Sequence, residues 1–232
     1  MKIQTTTILN AVTAVAILVA LYLALIVAPP PANVDTEAQR YAQRIIYFHI
    51  PNAWVGFFAF LVTFVGSVLY LIRGERRWDI LALSSVEIGV AFITATIVTG
   101  SIWAKPAWNT WWTWDPRLTT STVTWLIYIS YLMLRSALDD PMRRARFAAV
   151  YGVVGFVSVP ITFFAIRWWR TIHPVLFDAS NMGLSDNMRF PFFFSLGAFT
   201  LLYLAILVQR VQVEHLADRV AALKASILIS RR

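Results

Sequence analysis

The sequence predicts an all-α membrane protein of six transmembrane helices, with the N and C termini both cytoplasmic. Three observations carry that expectation. Of 232 residues, 59% are hydrophobic and 14% are charged, which is not the balance of an ordinary soluble domain. The apolar residues fall in runs of about 20, the length a helix needs to cross hydrocarbon. Lys and Arg are segregated between alternate loops. The termini with the second and fourth loops hold 13 of them, the other three loops hold 7, and the richer set belongs in the cytoplasm.

The first span is expected over residues 8–28, ended by Pro29-Pro30-Pro31. It reads as a retained span, because its apolar run is longer than a signal-peptide core and the prolines form no cleavage site. Within residues 39–48, Tyr41, Ile45 and Phe48 recur at helical spacing, with Arg40 and Arg44 on another side, as in a short interfacial helix. His49-Ile50-Pro51-Asn52 then leads into span two, 53–72. A basic turn, Arg73-Gly74-Glu75-Arg76-Arg77, precedes span three, 80–102, which carries Glu87. That intramembrane carboxylate reads either as a residue packed near Ser84 and Ser85 or as part of a ligand's path. Asp115 and Pro116 read as a helix N-cap and first residue, so span four covers 116–134. Residues 135–146 form a basic loop. Span five, 147–168, should kink at Pro160. A polar loop, 175–189, leads to span six, 190–208. Residues 1–210 are therefore expected to form one six-span domain, and 211–232 a cytoplasmic amphipathic tail. No internal repeat is visible.

The absence of cysteine excludes disulfides, thiolate catalysis, iron–sulfur ligation and covalent haem attachment through Cys-x-x-Cys-His. No phosphate-binding Gly-x-x-x-x-Gly-Lys loop occurs, so ATP hydrolysis would fall to a partner. The densest chemistry lies between spans three and four, in Trp108-Asn109-Thr110-Trp111-Trp112-Thr113-Trp114-Asp115-Pro116-Arg117-Leu118-Thr119. Indole rings anchor helices at membrane interfaces. A plate of indoles beside an arginine also suits a large, flat, apolar ligand with acidic edges. Two of the three histidines, His49 and His173, fall at the outer ends of spans on the same face, and His215 lies in the tail. A single interfacial histidine commonly serves as a hydrogen-bonding residue. Two neutral imidazoles can also hold a metal from opposite sides, as in a haem, with Met182 or Met188 as substitutes for one of them. Haem propionates call for cations, with Arg117 the first choice and Arg44, Lys105 and Arg170 behind it. Headgroup contact is the other role open to these cations.

At these residues the chain resembles a known family. The Trp-rich stretch looks like the "WWD" signature of haem-handling membrane proteins. Glu87-Ile88-Gly89, Thr99-Gly100-Ser101, Trp103-Ala104-Lys105-Pro106, His49-Ile50-Pro51-x-Ala53-Trp54 and Trp168-Trp169-x-Thr171-x-His173 are similar to parts of haem exporter protein C of bacterial cytochrome c maturation. Two departures are Asn109, where the family usually has glycine, and Ala107, where a larger residue is common. The resemblance implies a b-type haem bound non-covalently, with His49 and His173 as its axial ligands. It implies that the Trp-rich loop, 103–119, contacts the haem through Trp103, Trp108, Trp111, Trp112, Trp114, Asp115 and Arg117. The implied partners are a haem chaperone, the membrane and ATPase subunits of an ABC transporter, and a small single-span subunit. The implied setting is the bacterial inner membrane, with haem on its extracytoplasmic side.

That role is binding and delivery, not catalysis. Three rivals bear on it. A haem lyase acting on apocytochrome c, or a transmembrane electron carrier, would be expected to place histidines deep within spans, and none lies there. A small-solute transporter would be expected to show repeats and more intramembrane charge.

Overall fold

A computed structural model describes residues 3–29, 36–175 and 183–230. Among the described residues the regular structure is helical: α1 (Ile3–Tyr22), α2 (Glu37–Ala42), α3 (Ile46–Arg73), α4 (Arg76–Trp108), α5 (Pro116–Ser136), α6 (Pro141–Gly155), α7 (Ser158–Trp168) and α8 (Asp186–Ser230). A π-helical turn, Leu23–Val27, extends α1, and a 3-10 turn, Gln43–Ile45, joins α2 to α3. Five helical stretches have both the length and the hydropathy to cross a membrane: Gln4–Val27, Gln39–Arg73, Arg76–Trp108, Pro141–Trp168 and Asp186–Ile229. The sixth, α5, has the length, at about 1.5 Å per residue. Three of its hydroxyls are paired within the helix: Thr120 donates to the Pro116 carbonyl at 2.8 Å, Ser121 to Arg117 at 2.7 Å and Thr122 to Leu118 at 3.1 Å.

The helices run past the bounds read from hydropathy, because helix geometry continues where apolarity stops. The helix carrying span two begins at Ile46 and includes Pro51, so His49 sits on a helix rather than in a loop. The helix of span three continues through Trp103 and Lys105 to Trp108. Asn109 ends it at φ 56°, in the left-handed region, which Asn and Gly tolerate better than other residues. Asp115 accepts from the Arg117 N–H and caps α5, with Pro116 at its first position, as the sequence predicted. The tail is continuous with span six, as α8 runs 45 residues without a break.

The core forms where α3 crosses α4. A Cβ on Gly56 would lie 2.5 Å from the Ile93 side chain, so glycine is what lets these helices approach so closely. Phe60 stacks on Tyr128 at 3.6 Å, with Val86, Ile93, Tyr131 and Ala148 buried around the pair. The π turn of the first span packs Ala24 and Ala28 against Tyr47, Met188 and Phe192.

Charges sort the bundle into two ends. At one end Arg135 grips Asp79 through two contacts, at 2.5 and 3.1 Å, with both side chains buried. Arg76 also contacts Asp79 and reaches Asp218 on α8 at 3.1 Å. About two turns deeper, Arg210 holds Glu87 at 2.6 and 3.0 Å and Glu214 at 2.7 Å. Glu87 is thus an ion-pair partner that joins α4 to α8, not a residue resting on Ser84 and Ser85. Gln209 and Gln212 reach Asn10 and Thr6, which brings the start of α1 to this same end. The opposite end carries α2, the Trp-rich loop and His173.

Candidate functional site

Proline shapes the site. Span five kinks as the sequence predicted: α6 gives way to α7 through a turn at Phe156–Val157, where the backbone stays in the right-handed helical region. Pro160 has no N–H, and its ring clashes with the carbonyl four residues earlier, that of Phe156. That carbonyl instead accepts from Val159 in a tight turn at 3.0 Å. Before the turn, α6 packs on both α3 and α5. After it, α7 stays on α5 with no comparable packing on α3. The space vacated beside α3 is a cavity of about 740 Å³ at the aromatic end, a volume usual for small-molecule sites.

Residues of α3, α4, α5, α7 and α8 line it. His49 contributes from α3, and Trp103 and Trp108 from the end of α4. Trp112, Arg117 and His173 close it from the connecting loop, the start of α5 and the chain after α7. Trp103 and Trp108 meet edge to face at 5.0 Å, and the Trp103 N–H donates to Gln43 at 3.3 Å. Gln39 donates to the Pro106 carbonyl, fastening the segment before α3 onto the last turn of α4.

Both imidazoles are held at Nδ1. Thr99 donates its hydroxyl hydrogen to the Ala95 carbonyl at 2.7 Å, so toward His49 Nδ1, at 3.1 Å, its oxygen can only accept. His173 Nδ1 lies 3.1 Å from the Pro174 carbonyl, which also can only accept. With the Thr99 hydrogen on the Ala95 carbonyl, each ring carries its proton on Nδ1 and presents its lone pair at Nε2. Gly100 packs beneath the first ring: a Cβ there would lie 3.0 Å from His49 Cε1. Burial, then the positive charge of Arg117, holds the His173 imidazole below its ordinary proton affinity, so it stays neutral near pH 7.

Asp115 works through its neighbours and does not line the cavity. It is buried, and Thr171 Oγ1 sits 2.7 Å from both of its oxygens. The Ile172 and Arg117 N–H groups each donate to it at 2.9 Å. The His173 N–H in turn donates to Thr171 Oγ1 at 3.0 Å. Burial alone would raise the Asp115 pKa, but these hydrogen bonds outweigh it and hold the carboxyl below its usual value. One carboxylate thus ties the Trp-rich loop to the segment that carries His173.

Arg117 donates to the Thr162 carbonyl and lies over the Phe57 ring at 5.8 Å. Among the described residues no carboxylate pairs with it, so its charge remains available to an anionic ligand edge. The other cations considered for that task lie elsewhere. Arg44 donates to the Leu25 carbonyl, Lys105 holds Asn109 at 3.2 Å, and Arg170 is exposed outside the cavity.

Of the residues singled out in the sequence, the structure brings His49, His173, Trp103, Trp108, Trp112 and Arg117 to one cavity. Trp111 and Trp114 do not line it and are 58% and 78% exposed. Met188 is buried in the packing of α8 against the π turn, away from the cavity, and Met182 lies outside the described residues. Sequence reasoning gave no role to Gln43, Thr99, Gly100, Arg167 or Thr171. Thr99, Gly100 and Thr171 stood within the quoted motifs, but their hydrogen bonds and close contacts are visible only once distant segments meet.

Fold and site together define an all-α membrane protein with an aromatic cavity, lined by two imidazoles and an arginine, at one end of its bundle. Comparison with known proteins makes this specific. The family model for Heme exporter protein C matches residues 1–226. The chain is 35% identical over 193 residues to Heme exporter protein C of Bradyrhizobium diazoefficiens, covering 82% of this chain and 73% of that protein. It is 32% identical to the protein of that name in Paracoccus denitrificans, covering 78% and 77% of the two chains. It is also 32% identical to that of Escherichia coli, covering 73% and 69%. The chain belongs to the Heme exporter protein C family, whose role is haem handling in cytochrome c maturation as a membrane component of haem export.

Proposed function

We propose that this chain holds one haem non-covalently in the cavity at the aromatic end, on the extracytoplasmic side of the membrane. His49 and His173 Nε2 are its axial ligands, and Arg117 receives a propionate. Trp103, Trp108 and Trp112 supply the flat apolar walls, and Asp115 acts by holding the His173 segment. Trp111 and Trp114, exposed beside the site, form a surface that a receiving protein can touch. The single observation that carries this reading is the convergence of two Nδ1-anchored imidazoles on one aromatic cavity.

A haem held by His49 and His173 would have both imidazoles on its iron and no open position for oxygen chemistry, which fits a role in delivery. The receiver is a haem chaperone. The ATP-dependent step belongs to an ABC transporter's membrane and ATPase subunits, with a small single-span subunit in the same assembly. The bulk of Lys and Arg at the opposite end supports this orientation. Haem-loaded protein mixed with purified apo-chaperone, without any apocytochrome, tests the reading. Haem should move to the chaperone. Haem that moves only when apocytochrome c is supplied, and goes directly to it, would favour the lyase reading instead.

A further inference from the structure

We propose that the cavity is filled sideways from the bilayer, through an opening between α7 and α8. The inference rests on the haem reading above and concerns how the ligand arrives. Around the cavity, α7 packs on α5, α5 on α4, α4 on α3, and α3 on α8. Among the described residues the circle is not completed, because α7 has no comparable packing on α8. The residues flanking that gap both line the cavity and face outward: Phe163 on α7 is 50% exposed and Phe193 on α8 is 49% exposed. They lie about 8–10 Å from the outer ends of their helices at 1.5 Å per residue, so their outward faces meet hydrocarbon rather than water.

The other directions are obstructed. Toward the basic end, the stacked Phe60–Tyr128 pair and the Phe64–Phe156 contact at 4.6 Å fill the bundle beneath the cavity. Glu87 sits level with that layer on the α8 side, engaged in its ion pair with Arg210. On the aqueous side, Trp103, Trp108 and the His173 segment form a roof fastened by the Gln43 and Asp115 hydrogen bonds. The gap is bordered by Phe163 and Ile166 on α7 and by Phe193 on α8, with Arg167 one turn outward from Phe163 at its lip. Gly197 on α8 lines the cavity, and a Cβ there would meet nothing within 4 Å. The polar pair nearest it is satisfied, Trp54 donating to Thr200 at 3.1 Å. A flat ligand that partitions into lipid can slide in edge first and leave its acidic edge toward Arg117 and the membrane surface.

The chain has no cysteine, so one introduced thiol can be labelled alone. The full-length Gly197→Cys protein is reconstituted in liposomes that carry haemin, and loading is followed by absorbance, with and without prior reaction with pyrene maleimide. The labelled protein should load at least tenfold more slowly than the same variant unlabelled, and Phe163→Cys should behave alike from the other side of the gap. Labelling after loading should leave the haem spectrum intact and slow haem loss. Equal loading rates for labelled and unlabelled protein would overturn the route. Expulsion of bound haem on labelling would also overturn it, by placing residue 197 in the ligand's seat. If the wild type takes up no haemin from lipid or from water, the haem reading fails and this proposal with it.

Discussion

Asp115→Ala should weaken haem binding although its side chain does not line the cavity. The carboxylate accepts from the Thr171 hydroxyl and from the Ile172 and Arg117 N–H groups, all between 2.7 and 2.9 Å. Hydrogen bonds to a charged acceptor contribute about 1.5–3 kcal/mol each, and losing a helix N-cap costs about 1 kcal/mol. Part of that loss falls on the start of α5 and the Trp-rich loop, so about 3 kcal/mol is a reasonable share to fall on the ordering of residues 171–173. Charged against binding at about 1.4 kcal/mol per tenfold, this is a drop in haem affinity of roughly a hundredfold. Asp115→Asn keeps the cap and one acceptor oxygen and should lose about tenfold. Equilibrium haemin titration in detergent, paired with thermal unfolding, is the assay. If Asp115→Ala lowers the melting temperature while leaving haem affinity and axial spectrum unchanged, the carboxylate is a helix cap only and the positioning argument fails.

Three further outcomes follow from the geometry. Gly100→Val should push the His49 ring off α4, since even a Cβ lies 3.0 Å from Cε1. The spectrum should change from two-imidazole to one-imidazole ligation, with His173 still bound. On acidification, proton competition for His173 should set in below the ordinary imidazole value of 6.5, because burial and Arg117 depress its proton affinity. A spectral titration of the His49→Ala protein, which isolates this ligand, should therefore show iron release beginning under that pH rather than at it. At the other end, Asp79→Ala leaves Arg135 buried without its partner, which costs about 3–5 kcal/mol. The melting temperature in detergent should fall clearly, while haem titration at low temperature should match wild type.

Much of the fold was legible because hydropathy and capping act locally. Apolar runs located the spans, and the Asp115-Pro116 pair located the start of α5 within a polar neighbourhood. Helix ends were harder, because Trp103 to Trp108 are not uniformly apolar and yet continue a helix whose backbone bonds are already running. The same limit placed His49 in a loop. Pro160 signalled the kink, but its consequence, a turn that carries α7 off α3 and opens the cavity, depends on how α5 and α3 compete for the two half-helices. Glu87 read as a lone intramembrane acid because its partner, Arg210, lies 123 residues away. Within the site, Trp112 and Trp114 are near neighbours in sequence, and only the loop's backbone decides that the first lines the cavity and the second faces out.

The central claim is that His49 and His173 share one iron. Its most direct test is the electron paramagnetic resonance spectrum of the purified, haem-loaded ferric protein, wild type against each single alanine variant. The account predicts a low-spin, two-imidazole signal in the wild type that each substitution alone converts to high spin. A low-spin signal that survives both His49→Ala and His173→Ala would contradict it.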